Sequence, residues 1–197
     1  MIVPMVQTRL TDAEIATELR ESYLEETGEA LPARLGRFAL AVVAIENDHG
    51  RAIYDHNWGN VSGDNWPGDK YENPGWEPGK PVPRYFRAYA THRAGARAWW
   101  RLMLDHYPSV VARGLGGNYG EGVTEMYRLH YVVPLSSGEE EHYRATVVGL
   151  ARSSTFAALF PESAPMRPMP DATGAVAGIA GLFVVTILEI LRRSIHV

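Results

Sequence analysis

Cysteine is absent from all 197 residues, so neither a disulfide framework nor thiolate chemistry is open to this chain. A basic excess is missing as well. The formal net charge is −4 and no Lys/Arg stripe stands out, which argues against nucleic acid as a partner. No Gly-rich phosphate loop, no Gly-x-Ser-x-Gly elbow and no His-Glu-x-x-His pair occurs. His49 and His56, with Asp48 and Asp55, come nearest to a metal cluster, but without such spacing they read as turn residues, so neither metal nor cofactor is expected. Internal repeats are lacking too, and 46 % hydrophobic with 21 % charged residues suits one globular core plus an appendage.

What the chain does have is helical periodicity. Thr11-Asp-Ala-Glu14 is a capping box that opens a helix ending near Gly28, and Pro32 suits the first turn of the next helix. In that second helix Leu35, Phe38, Ala39 and Val42 share one face at about 100° per residue, and Glu46 falls near the middle of the same face. A carboxylate there is desolvated and sits in the last turn, where the negative end of the helix dipole repels it. Both effects raise its pKa. An acid still protonated near neutral pH can protonate a leaving sugar oxygen. The ordinary alternative is a helix-terminal Glu that frays into water. Further helices are expected from Ala94 to Tyr107, with Trp99, Leu102 and Met103 at helical spacing, and from Ser137-Gly-Glu-Glu140 to about Arg152. Residues 54–90 are rich in proline and glycine turns, carry Trp58, Trp66 and Trp76, and show little periodicity, which predicts a second lobe of loops and short strands.

The run Ala41 to Gly50, containing Glu46, is followed by Asn57-Trp58-Gly59-Asn60. Phe86-Arg87-Ala88-Tyr89 then precedes a helix, and Leu129-His130-Tyr131 leads to Glu141-His142-Tyr143-Arg144-Ala145. Together these blocks, from about residue 34 to 152, resemble the lysozyme-like glucosaminidase and muramidase superfamily, phage endolysins included. The resemblance implies a mainly α, α+β lysozyme-like fold with a helical lobe and a small loop and short-strand lobe. It also implies cleavage of the GlcNAc/MurNAc backbone of peptidoglycan with Glu46 as general acid. Two departures stand out: Asn47 follows the Glu where the family usually has Ser, and Tyr131-Val132-Val133-Pro134 replaces the family's Tyr-Ala-Thr-Asp-Pro loop.

For the second acid, Asp64 follows the Asn-rich turn most closely and is the choice among Asp64, Asp69, Glu72 and Glu77. Flat rings stack on sugar C–H faces while amides satisfy hydroxyls, so Asn57, Trp58, Asn60, Asn65 and Trp66 are candidate subsite contacts. Tyr89 is a candidate groove wall, and Tyr131 takes the place of the family's loop Tyr. Each Trp has the alternative of filling the small lobe's core. If no acid lies within roughly 10 Å of Glu46, a two-carboxylate scheme fails and a single-acid lytic transglycosylase becomes preferable. A non-enzyme reading also stands: a virion or envelope structural protein that grips peptidoglycan without cutting it.

The organisation expected is a catalytic domain over residues 1–160, a Pro-rich linker over 161–171, a transmembrane helix over 172–193 and a tail over 194–197. Ala172 to Leu191 holds one charge, Glu189, and about twenty residues span roughly 30 Å, the thickness of a bilayer's hydrocarbon. A buried core helix is the alternative for that stretch. Arg192 and Arg193 mark the cytoplasmic side, which puts the catalytic domain on the cell-wall side of a bacterial inner membrane or a phage virion membrane. Gly174 and Gly178 permit weak self-association. The first ten residues lack the basic start and apolar run of a secretory signal, in tension with that topology.

Overall fold

The Thr11 capping box forms as the sequence predicts: Thr11 Oγ1 accepts from the Glu14 amide at 3.3 Å and the Glu14 carboxylate accepts from the Thr11 amide at 2.8 Å. It opens α1, Asp12–Thr27, which stops at Gly28 in the left-handed region (φ 76°). The computed structural model describes residues 1–79, 82–132 and 138–162, within a compact unit Met1–Glu162. The expected transmembrane helix 172–193, the tail, Gly174 and Gly178 fall outside the described residues, as does nearly all of the linker. Among the described residues no helix is long and apolar enough to cross a membrane.

The helix that carries the acid, α2 (Ala33–Glu46), is the hub. Leu35, Gly36 and every residue from Phe38 to Ala44 are buried, so it is apolar nearly all round and not on one stripe alone. Such a helix needs neighbours on every side. It has them in α1, in α4 (Pro108–Gly116), in α6 (Glu139–Ala151) and in α7 (Ser154–Leu159). Pro32 stands one residue before the helix, at its cap, not inside its first turn. The remaining helices are α3 (His92–His106), capped by Thr91, and α5 (Tyr119–Arg128). Among the described residues these make seven helices with two short strands, a mainly α architecture. Periodicity alone predicts neither α4 nor α5. α6 is preceded by Gly138 at φ 88°; Ser137, the expected cap, lies outside the described residues.

Helices α1 and α3 pack side by side. Trp100 is buried and its Nε1 donates to the Leu19 carbonyl at 3.0 Å. Along the rim, Arg93 of α3 pairs with Glu18, Glu21 and Glu25 of α1, and one turn further along α3 Arg97 and Arg101 converge on Glu26. The spacing of four places all three arginines on one face of α3. Exposed pairs contribute only about 0.2–1 kcal/mol each, so the ladder orients the two helices more than it stabilises them.

The small lobe holds strands β1 (Lys70–Glu72) and β2 (Tyr85–Arg87), antiparallel with Tyr71 opposite Phe86. The first residues of the chain line this lobe: Val3 donates to the Lys70 carbonyl and Thr8 to the Ile53 carbonyl, at 2.9 and 2.8 Å. Helix α3 closes on the lobe at Gly95, where an added Cβ would lie 1.8 Å from the His56 carbonyl oxygen. That approach predicts that Gly95→Ala forces the lobes apart and lowers stability by roughly 2 kcal/mol. Urea denaturation checks it; a loss below a few tenths would mean that the junction yields freely.

Candidate active site

Glu46 is the last residue of α2, and the turn beyond it decides where its side chain goes. Asn47 is fully buried and its Nδ2 donates to Val43 O at 3.1 Å and to the Trp58 carbonyl, which staples the helix end to the loop beyond. The chain then reverses through Asp48, His49 and Gly50, all with positive φ (47°, 53° and 78°). Asp55, His56 and Asn60 repeat that conformation. Every non-Gly residue among them is Asp, His or Asn, the types that tolerate the left-handed region best. Each still costs about 1 kcal/mol or more, strain that gathers beside the acid.

The second turn is closed by Asn57. Its Nδ2 donates to Val61 O at 3.1 Å and its Oδ1 accepts from the Val61 amide at 2.9 Å, a reciprocal clamp around residues 57–61. The clamp presents Asn60, whose Nδ2 lies 3.5 Å from the Glu46 carboxylate and 3.4 Å from its main-chain oxygen. It also presents Gly59, where a Cβ would meet the Trp99 ring at 2.4 Å and the Tyr131 hydroxyl at 2.9 Å. Only a bare α-carbon fits there.

From the helical side Tyr143 of α6 donates its hydroxyl to Glu46 Oε1 at 2.7 Å. Tyr131 is fixed by Trp99, whose Nε1 donates to its hydroxyl at 2.9 Å, and by the Tyr107 ring set edge-on at 5.1 Å. The Tyr127 ring stands edge-on to Tyr143 at 5.9 Å; its hydroxyl is buried and, among the described residues, has no hydrogen-bond partner. Burial pushes the Glu46 pKa up, and the bonds from Tyr143 and Asn60 pull against it without reversing it. The same burial, together with the Glu46 charge, raises Tyr131 and Tyr143, while burial and the charges of Glu139, Glu140 and Glu46 push Tyr127 up to about 12. All three phenols therefore stay neutral donors beside the acid. The dipole argument concerns the helix end; desolvation comes first among the causes.

The other expected residues divide. Asn57 is buried with both amide ends used by Val61, so it shapes the loop and offers a ligand nothing. Trp58 is fully enclosed, 0 % exposed, and packs near His92; it has no free ring face. Both corrections follow from the small lobe needing a core of its own. Asp64 is likewise committed: its carboxylate accepts from the amides of Arg84 and Tyr85 at 3.3 and 2.9 Å and so anchors the start of β2. Asn65 is exposed, Trp66 is half-buried under Arg87, and Tyr89 is half-buried with its pKa raised by burial. His49 reaches back to Asp12 at 3.0 Å and Asp48 pairs with Arg51. Sequence alone assigns Tyr143 no role; it lies in the third block of the resemblance, 97 residues from Glu46, a separation that leaves no local signal.

A surface depression of about 650 Å³ lies elsewhere, between α5 and α6. Its Arg113 and Glu121 are paired, and Glu125 is pushed down to about 2, chiefly by Arg128. That acid is locked in its ionised form and cannot donate a proton. Chemistry, not volume, picks Glu46.

Neither a family model nor a curated protein nor a solved structure matches the chain.

A raised acid has a thermodynamic signature. Its folded pKa lies above the ordinary 4.5, so the folded state holds a proton that the unfolded chain releases. Stability from this group is full below the unfolded value and is lost as pH rises through the folded one. Glu46→Gln keeps the shape and an acceptor for Tyr143 while removing the titration. Urea melts from pH 4 to 8 are therefore expected to show wild type losing ground to Glu46→Gln as pH rises; parallel curves would mean an ordinary surface carboxylate.

Proposed function

We propose that the chain is a peptidoglycan glycosidase that cuts the GlcNAc/MurNAc backbone with Glu46 as general acid. One observation carries the reading: a buried carboxylic acid, its pKa raised by desolvation, meets the Tyr143 hydroxyl on one side and the Asn60 amide on the other, between two lobes. The lysozyme-like resemblance around Ala41–Gly50, Asn57–Asn60 and Phe86–Tyr89 supplies the substrate class. In this scheme Glu46 gives its proton to the glycosidic oxygen, the C1–O bond breaks, and positive charge grows at C1 and the ring oxygen. Tyr143 then steadies the new carboxylate through its 2.7 Å hydrogen bond.

The second step favours the transglycosylase form. Asp64 is occupied by backbone amides, so the acid expected from the sequence as nucleophile or second base does not support the two-carboxylate route. The substrate's own C6 hydroxyl closes on C1 and passes its proton to the Glu46 carboxylate. The acid is regenerated and an anhydro sugar forms without water. A hydrolase with a distant water-activating group, and a wall-gripping structural protein, are the competing outcomes. The 172–193 segment would tether the domain to a bacterial inner membrane or phage virion membrane on the wall side.

Purified peptidoglycan tests the reading. Glu46→Gln is expected to lose about a thousandfold in fragment release while still pelleting with walls, since an amide cannot donate that proton. Mass spectrometry should find anhydro-MurNAc ends; reducing ends would return the hydrolase, and binding without turnover by wild type would leave the structural protein. Tyr143→Phe isolates the hydrogen bond. Its loss removes a group that favours the ionised acid, so the alkaline limb of the pH–rate profile should move to higher pH as the rate falls; an unmoved limb would detach Tyr143 from Glu46.

A further inference from the structure

The outer face of the small lobe carries a row of cations lying on aromatic rings. Tyr71 and Phe86 pack together at 5.7 Å on one side of the two-stranded sheet, so the strand alternation puts Lys70, Glu72, Tyr85 and Arg87 on the other. There Arg87 lies over the Trp66 ring at 4.3 Å and Lys70 over Tyr85 at 4.8 Å. Arg84 lies between Tyr85 and Trp76, at 5.1 and 4.9 Å from the two rings.

The acids nearby pair with only part of this row. Asp64 is turned to the backbone amides of Arg84 and Tyr85, and Asp69 pairs with the N-terminal ammonium at 3.2 Å. Glu72 stands 3.5 Å from Arg84, which leaves Lys70 and Arg87 without a carboxylate partner among the described residues. Lys70, Arg84 and Arg87 stand against Glu72 and Asp64, and the two cations without a carboxylate partner, Lys70 and Arg87, give the strip its positive character on a chain whose net charge is −4. Its position is fixed as well. Arg87 Nε donates to the Ser62 carbonyl at 2.9 Å, and Ser62 is two residues, at most about 7 Å of chain, from the Asn60 that faces Glu46. The strip begins at the edge of the acid's site and runs outward along the sheet.

The chemistry of the strip selects its ligand. A ring under each cation pins it and removes part of its water while leaving its donors pointing away from the ring. Each ring has a cation on one face, so the strip presents charged donors ahead of bare rings. A guanidinium fork held in this way matches a carboxylate. We propose that this face binds the carboxylates on the substituents of a glycan strand, so that the substrate is an anionic, peptide-bearing polysaccharide and not a neutral one. The proposal rests on the peptidoglycan reading and names which part of that polymer is held.

The test separates the two claims by using Glu46→Gln, full chain, as the binding protein, so that turnover plays no part. Its affinity is measured by co-sedimentation with purified sacculi, native or with carboxylates converted to neutral amides by carbodiimide and ethanolamine. Native sacculi are expected to bind about fivefold tighter, with the advantage shrinking as salt rises. Lys70→Gln combined with Arg84→Gln should erase the difference while leaving affinity for neutralised sacculi and the thermal midpoint unchanged. Equal binding of native and neutralised sacculi overturns the proposal, as does a double variant that keeps the preference. A preference abolished by competing oligo(dT) also overturns it and assigns the strip to single-stranded nucleic acid. Should wild type release no glycan fragments while the carboxylate preference holds, the glycosidase reading falls and the binding face stands.

Discussion

An ionisable acid has to be kept out of water at the end of a helix that is itself almost wholly enclosed, and the architecture around α2 is organised by that requirement. Burial of Leu35 through Ala44 on every side calls for α1, α4, α6 and α7 as cover. The cover on the α6 side brings Tyr143 to the carboxylate, and without its hydroxyl a group at this depth would face only the distant amide of Asn60. One hydrogen bond from a phenol is a middle course. It satisfies the group whichever form it takes, yet it is too little to hold the acid ionised as the amides and guanidinium groups do elsewhere in this chain.

The small lobe exists to complete that environment, and its polar residues spend their hydrogen bonds on geometry. Asn47 ties the helix end to the Trp58 carbonyl and Asn57 clamps Val61. Between them the backbone visits the left-handed region repeatedly, at a cost that the buried side chains of Ile53, Trp58 and Tyr71 offset. Strain that persists beside a titrating group, in residues that otherwise have cheap alternatives, is the pattern of a site whose shape is held against local preference.

How far the sequence was legible depends on the range of each determinant. The Thr11 box, the Gly28 stop and the position of Glu46 on its helix are written within a turn or two, and the mainly α class follows from them. Helices α4 and α5 were not legible because Gly114, Gly116, Gly120 and Gly122 lower helical propensity along them. Their reason is tertiary: Gly114 and Gly122 both press on the Phe38 ring, where an added Cβ would come within 2.9 Å. Trp58 and Trp66 could not be told apart, since an irregular loop has no period to say which ring turns inward. Asn57 beside Asn60 posed the same problem, and Asp64 looked available because a turn that consumes a carboxylate leaves no mark on composition.

Catalysis by one acid sets a condition on everything near it. In the proposed scheme the cations of the strip would favour an ionised Glu46, opposite to what a proton donor needs, although exposure and a Debye length of about 8 Å at physiological salt would weaken their reach. Carboxylates of a bound strand would cancel that field, and the strand would expel the water that remains around the acid. Both changes would raise the pKa of Glu46 once such a substrate is seated. In the proposed scheme the complete proton donor would be assembled by the anionic substrate itself. A neutral glycan would fill the groove and exclude water without removing the opposing charge, so discrimination between the two polymers would appear in the protonation state of Glu46 as well as in affinity.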